Sequence, residues 1–165
     1  TILSDVGTYT IITSGGNDSN YNYIYQTGTL TIGKATLIAT MQNTSRAYGD
    51  ANPSFTANYT GFKNGQNAGV IDTLASGSSA GATANVGTYA ITGSGAFDNN
   101  YTFSYVNGTM TVNKAVLTAT ANNATRAYGD ANPAFGVTYT GFKNGETAAV
   151  IDTAVTASSL ADNNS

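Results

Sequence analysis

Tyr21-Asn-Tyr-Ile-Tyr25 places a ring at every second position, and Tyr101-Thr-Phe-Ser-Tyr105 does the same. A period of two puts alternate side chains on one face of an extended chain, so both stretches predict strands. The same alternation runs through Thr29-Leu-Thr-Ile32 and Thr109-Met-Thr-Val112. It recurs in Leu37, Ala39 and Met41, and in Leu117, Ala119 and Ala121. Gly87–Ile91 and Phe55–Tyr59 add two more strands. Asn107-Gly108 stands between two alternating runs, and both residues tolerate positive φ, so it predicts a tight hairpin. Gly49–Pro53 is a dense turn cluster. Asn64–Ile71 lacks alternation and predicts a single helical turn, with Val70 and Ile71 facing inward. Six or seven short strands per 80 residues predict an all-β fold of small β-sandwich-like modules. A β-grasp-like arrangement with one short helix is the alternative. On this alternation Tyr89, Tyr101, Phe103, Tyr105, Met110, Val112 and Leu117 are expected to be largely buried.

The pattern repeats. RAYGDANPSF begins at Arg46 and RAYGDANPAF at Arg126; TGFKNG begins at Thr60 and Thr140; VGTY begins at Val6 and Val86. Every offset is 80 residues, without insertion or deletion. Lys34, Arg46 and Lys63 recur as Lys114, Arg126 and Lys143, which accounts for all six basic residues. Tyr23 becomes Phe103, which keeps the ring and drops the hydroxyl. A period of this length marks a tandem array. The expected organisation is one complete module over 35–114. Residues 1–34 are then the back part of a preceding module, and 115–165 the front part of a following one.

Composition narrows the function. Only 9% of residues are charged and the net charge is −3, too little positive charge to follow a phosphate backbone. Nucleic acid is therefore not an expected partner. There is no apolar run of about 18 residues, so no membrane insertion is expected in this segment. The chain shows no signal peptide, and Thr1 is not a natural start, so a fragment of a longer protein is expected. Leu, Ile, Val and Phe total only 30 of 165 residues, but eleven Tyr add apolar area. That predicts a thin, Tyr-rich core and modules of modest stability.

Cys and His are absent. Without them the usual zinc, copper or iron ligand sets cannot be built, and neither can a Ser-His-Asp or Cys-His nucleophile. No catalytic residue, cofactor site or resident metal is expected. The residues that come closest to a cation site are Asp50 and Asn52, with Asp130 and Asn132 in the second copy. Calcium needs several oxygen ligands and an EF-hand ends on a Glu, neither of which this loop supplies. The plainer reading is that Asp50 caps a turn while Pro53 fixes the chain. Arg46 would then pin the loop by pairing with Asp50 or stacking on Tyr48. Lys34 and Lys114 are expected to be solvated at module junctions. Tyr21, Tyr23 and Tyr25 share a face that could stack on sugars, although core packing is the commoner use of such a row.

Taken in order, R-A-Y-G-D-A-N-P, Y-T-G-F-K-N-G, V-G-T-Y-A-I and Y-T-F-S-Y-V-N-G-T-M-T-V-N-K-A closely resemble the MBG domain of the YGX type. The second copy departs from the pattern after Thr153. The resemblance implies a tandem module of large bacterial surface adhesins, including filamentous-haemagglutinin-like exoproteins. It implies an extracellular location at the bacterial cell surface and a stalk or filament role, and carries over no catalytic residues. The expected partners are neighbouring copies of the module joined head to tail, with host or matrix glycans as the alternative ligand.

Overall fold

The structure is a computed structural model that describes residues 4–161. It is all-β. The strands are β1 (Gly7–Ile11), β2 (Gly28–Ile32), β3 (Ala35–Met41), β4 (Thr44–Ala47), β5 (Ala57–Thr60), β6 (Ser76–Ser78), β7 (Gly87–Ser94), β8 (Tyr101–Val106), β9 (Gly108–Asn113), β10 (Thr118–Ala121) and β11 (Val137–Thr140). Seven of them, β3 to β9, lie between residues 35 and 114. The helical content is two 3-10 turns, Ala68–Val70 and Ala148–Val150. Their N-caps are Asn67 and Thr147, each accepting the N–H two residues on. The predicted turn is therefore present, but only Ile71 faces inward; Val70 is exposed.

Contacts divide the chain into two units. One gathers residues 4–44, 54–79 and 90–109, the other residues 45–53, 80–89 and 110–161. The first unit holds a three-stranded sheet in the order β5-β3-β8 and the β1-β2 pair; the second holds the β10-β11 pair. A further sheet has the order β4-β9-β7-β6.

The core of the first unit follows from strand alternation. β3 buries Leu37, Ala39 and Met41 and turns Thr36, Ile38 and Thr40 outward. It pairs with β5 antiparallel and with β8 parallel, in the register Ala35↔Tyr101 to Thr40↔Val106. Leu37, Ile71 and Tyr101 form the buried cluster, with Tyr59, Phe62 and Phe103 packed around it. Phe62 meets Tyr101, and Phe103 meets Tyr59, edge to face, the favoured geometry for ring quadrupoles. The two sheets close on each other where side chains are missing. A Cβ at Gly93 would lie 2.6 Å from Met41 Sδ, and one at Gly77 would lie 2.4 Å from Phe55 Cβ.

Three expectations need correction. Asn107-Gly108 is not a hairpin: β8 pairs with β3, while β9 lies in the other sheet beside β4 and β7. Gly108 is required there by close approach, since a Cβ would sit 2.6 Å from Met41 O. The Asn-Gly pairs that do adopt positive φ are Asn64-Gly65 and Asn144-Gly145. Each closes a turn, with Gln66 N donating to Lys63 O and Glu146 N to Lys143 O. Secondly, Tyr21–Tyr25 is not a strand, and its three rings are exposed. Thirdly, of the expected core, Tyr101, Met110 and Val112 are buried and Tyr89, Phe103 and Tyr105 half-buried, but Leu117 is 41% exposed.

Candidate functional site

Among the described residues no three Asp, Glu, His or Cys side chains gather as a metal group would require. A polar constellation instead joins two loops of the second unit. Tyr48, Gly49 and Asp50 follow β4; Lys143 and Glu146 flank the Asn144-Gly145 turn.

The first loop is shaped by Arg46. Its guanidinium is buried and donates through Nε to Asn52 Oδ1 (2.8 Å), through Nη1 to Ala47 O (3.1 Å) and through Nη2 to Gly81 O (2.7 Å). Asn52 Nδ2 in turn donates to Ala80 O at 2.8 Å. Arg46 thus pins the loop, but through Asn52 and carbonyls, where Asp50 and Tyr48 had been expected as its partners. A planar fork of five donors suits several carbonyl acceptors at once. Asp50 N bonds to Ala47 O (3.2 Å), and Gly49 supplies the positive φ of 78° that the turn needs.

This arrangement leaves Tyr48 and Asp50 pointing at the second loop. Lys143 Nζ lies 2.8 Å from Asp50 Oδ1, and Tyr48 OH donates to Glu146 Oε1 at 2.5 Å. The Lys143 stem runs so close over Gly49 that an added Cβ would fall 2.3 Å from Lys143 Cβ. The ion pair is roughly two-fifths exposed on each side, so by itself it contributes about 0–1 kcal/mol. Fit and the short tyrosine–carboxylate bond must carry more of the contact than charge does.

Of the oxygens considered as cation ligands, Asp50 Oδ1, Asn52 Oδ1 and Asn132 Oδ1 have protein partners. Asp50 Oδ1 receives Lys143, and Asn52 Oδ1 receives Arg46. In the second copy Asn132 Oδ1 receives Arg126 Nε at 2.8 Å, and Asn132 Nδ2 donates to Ala161 O at 2.7 Å. Asp130 repeats the Asp50 turn, with its N–H on Ala127 O at 3.2 Å and Gly129 at φ 86°. Lys34 is not simply solvated: its Nζ donates to Asp98 O (2.8 Å) and sits 5.6 Å above the Phe97 ring.

The two turn glycines give a test of the contact. Both hold a positive φ, so Gly49→Ala and Gly129→Ala share a strain of about 1–2 kcal/mol. Only Gly49 lies against Lys143; nothing stands within 4 Å of a Cβ at Gly129. Gly49→Ala is expected to lower the denaturation midpoint further, by about 1–3 kcal/mol of extra overpacking. Equal losses would show that the loops do not support each other.

The sequence model of the MBG domain (YGX type) matches residues 37–111 and again 117–164. The chain belongs to the MBG domain family. The second match runs past Thr153, where the large apolar residues of the repeat thin out. No curated protein and no solved structure matches the chain. An MBG domain is a repeat module of structural type and not a known enzyme class.

Proposed function

We propose that this chain is a structural repeat of an extracellular bacterial adhesin, a length of stalk or filament that holds a binding tip away from the cell. The observation that carries this reading is the contact just described. Tyr48-Gly49-Asp50 of one sequence copy grips Lys143 and Glu146 of the next. Most of that contact recurs in each copy: Tyr128-Gly129-Asp130 repeats the first half, and Lys63-Asn64-Gly65 repeats the lysine and turn of the second, with Gln66 in place of Glu146. A spacer needs the same joint at every period, whereas a receptor or enzyme needs a distinctive cleft. On this reading the modules are 35–114 with partial copies over 1–34 and 115–165, and Asp50–Lys143 is one joint of a series. The test is immunogold electron microscopy, with antibody to this chain, on cells that make the natural protein. Label is expected outside the envelope at a defined height, and deletion of one 80-residue period should bring the tip closer to the cell. Label confined to the cell interior, or a height unchanged by the deletion, would overturn the proposal.

The exposed rings of Tyr21, Tyr23 and Tyr25 favour a second reading, a module that binds host or matrix glycans by stacking. Tyr23 and Tyr25 lie nearly parallel with centroids 6.2 Å apart. Reproducible binding on a glycan array that is lost in Tyr23→Ala would establish it.

A further inference from the structure

Asn-Gly occurs three times, at 64–65, 107–108 and 144–145, and the fold treats the three differently. The pair carries latent chemistry. A glycine amide has no side chain to shield it, so its nitrogen can reach Cγ of the preceding asparagine. At 64–65 and 144–145 the backbone is poised for that approach. Both pairs are the centre of a β-turn, closed by Gln66 N on Lys63 O (3.0 Å) and by Glu146 N on Lys143 O (2.9 Å). All four central residues hold positive φ, 55° and 72° in the first turn, 53° and 76° in the second, the signature of type I′. A flip of the central peptide to type II′ keeps the positive φ of the asparagine and turns the glycine nitrogen relative to its side chain. The flip breaks no bond of the turn. The closing bond joins the outer residues, and among the described residues neither Gly65 N–H nor Gly145 N–H meets an acceptor. Both asparagines are exposed, and nothing stands within 4 Å of a Cβ built at either glycine, so the flip has room. Asn107-Gly108 shares the exposed asparagine but not the freedom. Gly108 is buried at the start of β9, where a Cβ would lie 2.6 Å from Met41 O and 3.0 Å from Gln42 O. The next amide, Thr109 N–H, is held by Asn43 Oδ1 at 2.8 Å.

We propose that Asn64 and Asn144 are sites of spontaneous conversion to isoaspartate, and that at Asn144 the conversion releases the contact between the two copies. The Gly145 nitrogen attacks Asn144 Cγ. The N–Cγ bond forms, the Cγ–Nδ2 bond breaks, and Nδ2 leaves as ammonia with the amide proton. Water then opens the five-membered imide. Attack at Cγ restores the ordinary backbone as aspartate; attack at the Asn144 carbonyl carbon leaves the main chain running through Cγ, as isoaspartate. The sum is hydrolysis of one side-chain amide, with water the only co-reactant and no redox change. Isoaspartate lengthens the main chain by one C–C bond, about 1.5 Å. The bond from Glu146 N to Lys143 O then loses its register. Those two residues carry the contact, since Lys143 meets Asp50 and Glu146 meets Tyr48. By linkage, a grip that favours the intact turn must also restrain its conversion. The inference rests on that loop contact and not on the stalk role, so either can fail without the other.

Incubation of the purified chain in mildly alkaline buffer, followed by peptide mapping, tests this. Replacement of NH2 by OH adds about 1 Da. The Asn64 and Asn144 peptides are expected to gain it, mainly as isoaspartate, while the Asn107 peptide lags about tenfold or more behind a backbone that must first open. In denaturant the three should convert at similar rates, because the fold alone sets them apart. Asp50→Ala should speed conversion at Asn144 and leave Asn64 unchanged. In the converted chain, hydrogen exchange should show protection lost at the Glu146 amide and kept in β3 and β8. Conversion at Asn107 in the folded chain as fast as at Asn144, no conversion at Asn64 and Asn144, a rate at Asn144 untouched by Asp50→Ala, or a converted chain that keeps Glu146 protected would each overturn the inference.

Discussion

Leu37→Ala is expected to destabilise the first unit by about 3–5 kcal/mol, and Leu117→Ala by about 1 kcal/mol or less. The two leucines hold the same position in the repeat, so propensity and local sequence largely cancel. What differs is cover. Leu37 is fully buried, with Ile71 and Tyr101 in the same cluster, on a strand flanked by β5 and β8. Truncation there removes buried methyl groups and leaves a hole that paired strands on both sides cannot collapse into. Leu117 is already 41% exposed beside an open cavity, so its truncation removes little that was hidden from water. The larger figure is a substantial part of the stability of a small domain, so Leu37→Ala should approach the threshold of unfolding at room temperature. Denaturant titration at low protein concentration, with hydrogen exchange at β3 and β8, checks this. Equal losses at the two positions would mean that β8 does not seal the core.

That comparison also marks how far the sequence can be read. Alternation correctly placed β3, β8 and β9 and the buried faces of Tyr101, Met110 and Val112, because a strand with one dry face writes its period into the chain. It failed where burial depends on a distant partner. Tyr21–Tyr25 alternates as well as Tyr101–Tyr105, but a strand also needs a neighbour, and β8 finds its own in β3, 66 residues away in register. Asn107-Gly108 looked like a turn because Gly in a strand pattern can signal either positive φ or close backbone approach. Here it is the second, against Met41 O. β4 and β6 were missed: Thr44–Ala47 and Ser76–Ser78 are short and carry little apolar pattern.

The site was legible only in outline. The repetition of RAYGDANP and FKNG drew attention to both loops, yet nothing local in either states that Asp50 meets Lys143, 93 residues on. The turn residues could have given a partial signal. Asn64-Gly65 and Asn144-Gly145 have the composition of a positive-φ pair, and such a turn projects its flanking side chains outward. Arg46 was recognised as the residue that pins the loop, but its partners were not. A carboxylate four residues away was the obvious electrostatic choice, whereas a cluster of carbonyl acceptors has no charge to betray it.

Arg46→Met should therefore be the most damaging change outside the apolar core. Methionine keeps most of the aliphatic stem, so the loss isolates the guanidinium. Three donated hydrogen bonds disappear, and Asn52 Oδ1 and Gly81 O are left without their partner in a part-buried setting. Hydrogen bonds to a charged donor contribute about 1.5–3 kcal/mol, and an orphaned buried acceptor carries a desolvation penalty of similar size. Since water can enter a loosened loop and recover part of this, the expected loss is about 2–4 kcal/mol. Arg46→Lys should recover little of it, because a single ammonium cannot reproduce the planar fork. Arg126→Met provides the comparison: its bonds to Asn132 and Ala127 have the same geometry but lie exposed, so the expected loss is about 1 kcal/mol. The damage at Arg46 should also spread in a defined direction. Without the fork, Tyr48 and Asp50 lose the turn that aims them at Glu146 and Lys143. Amide protection should then fall first at Asp50, whose N–H closes the turn on Ala47, and next at Glu146, whose N–H closes the opposing one. Equal midpoints for Arg46→Met and Arg126→Met, or protection at Glu146 that survives the loss at Asp50, would show that the loop is held by its backbone turn and not by the buried arginine.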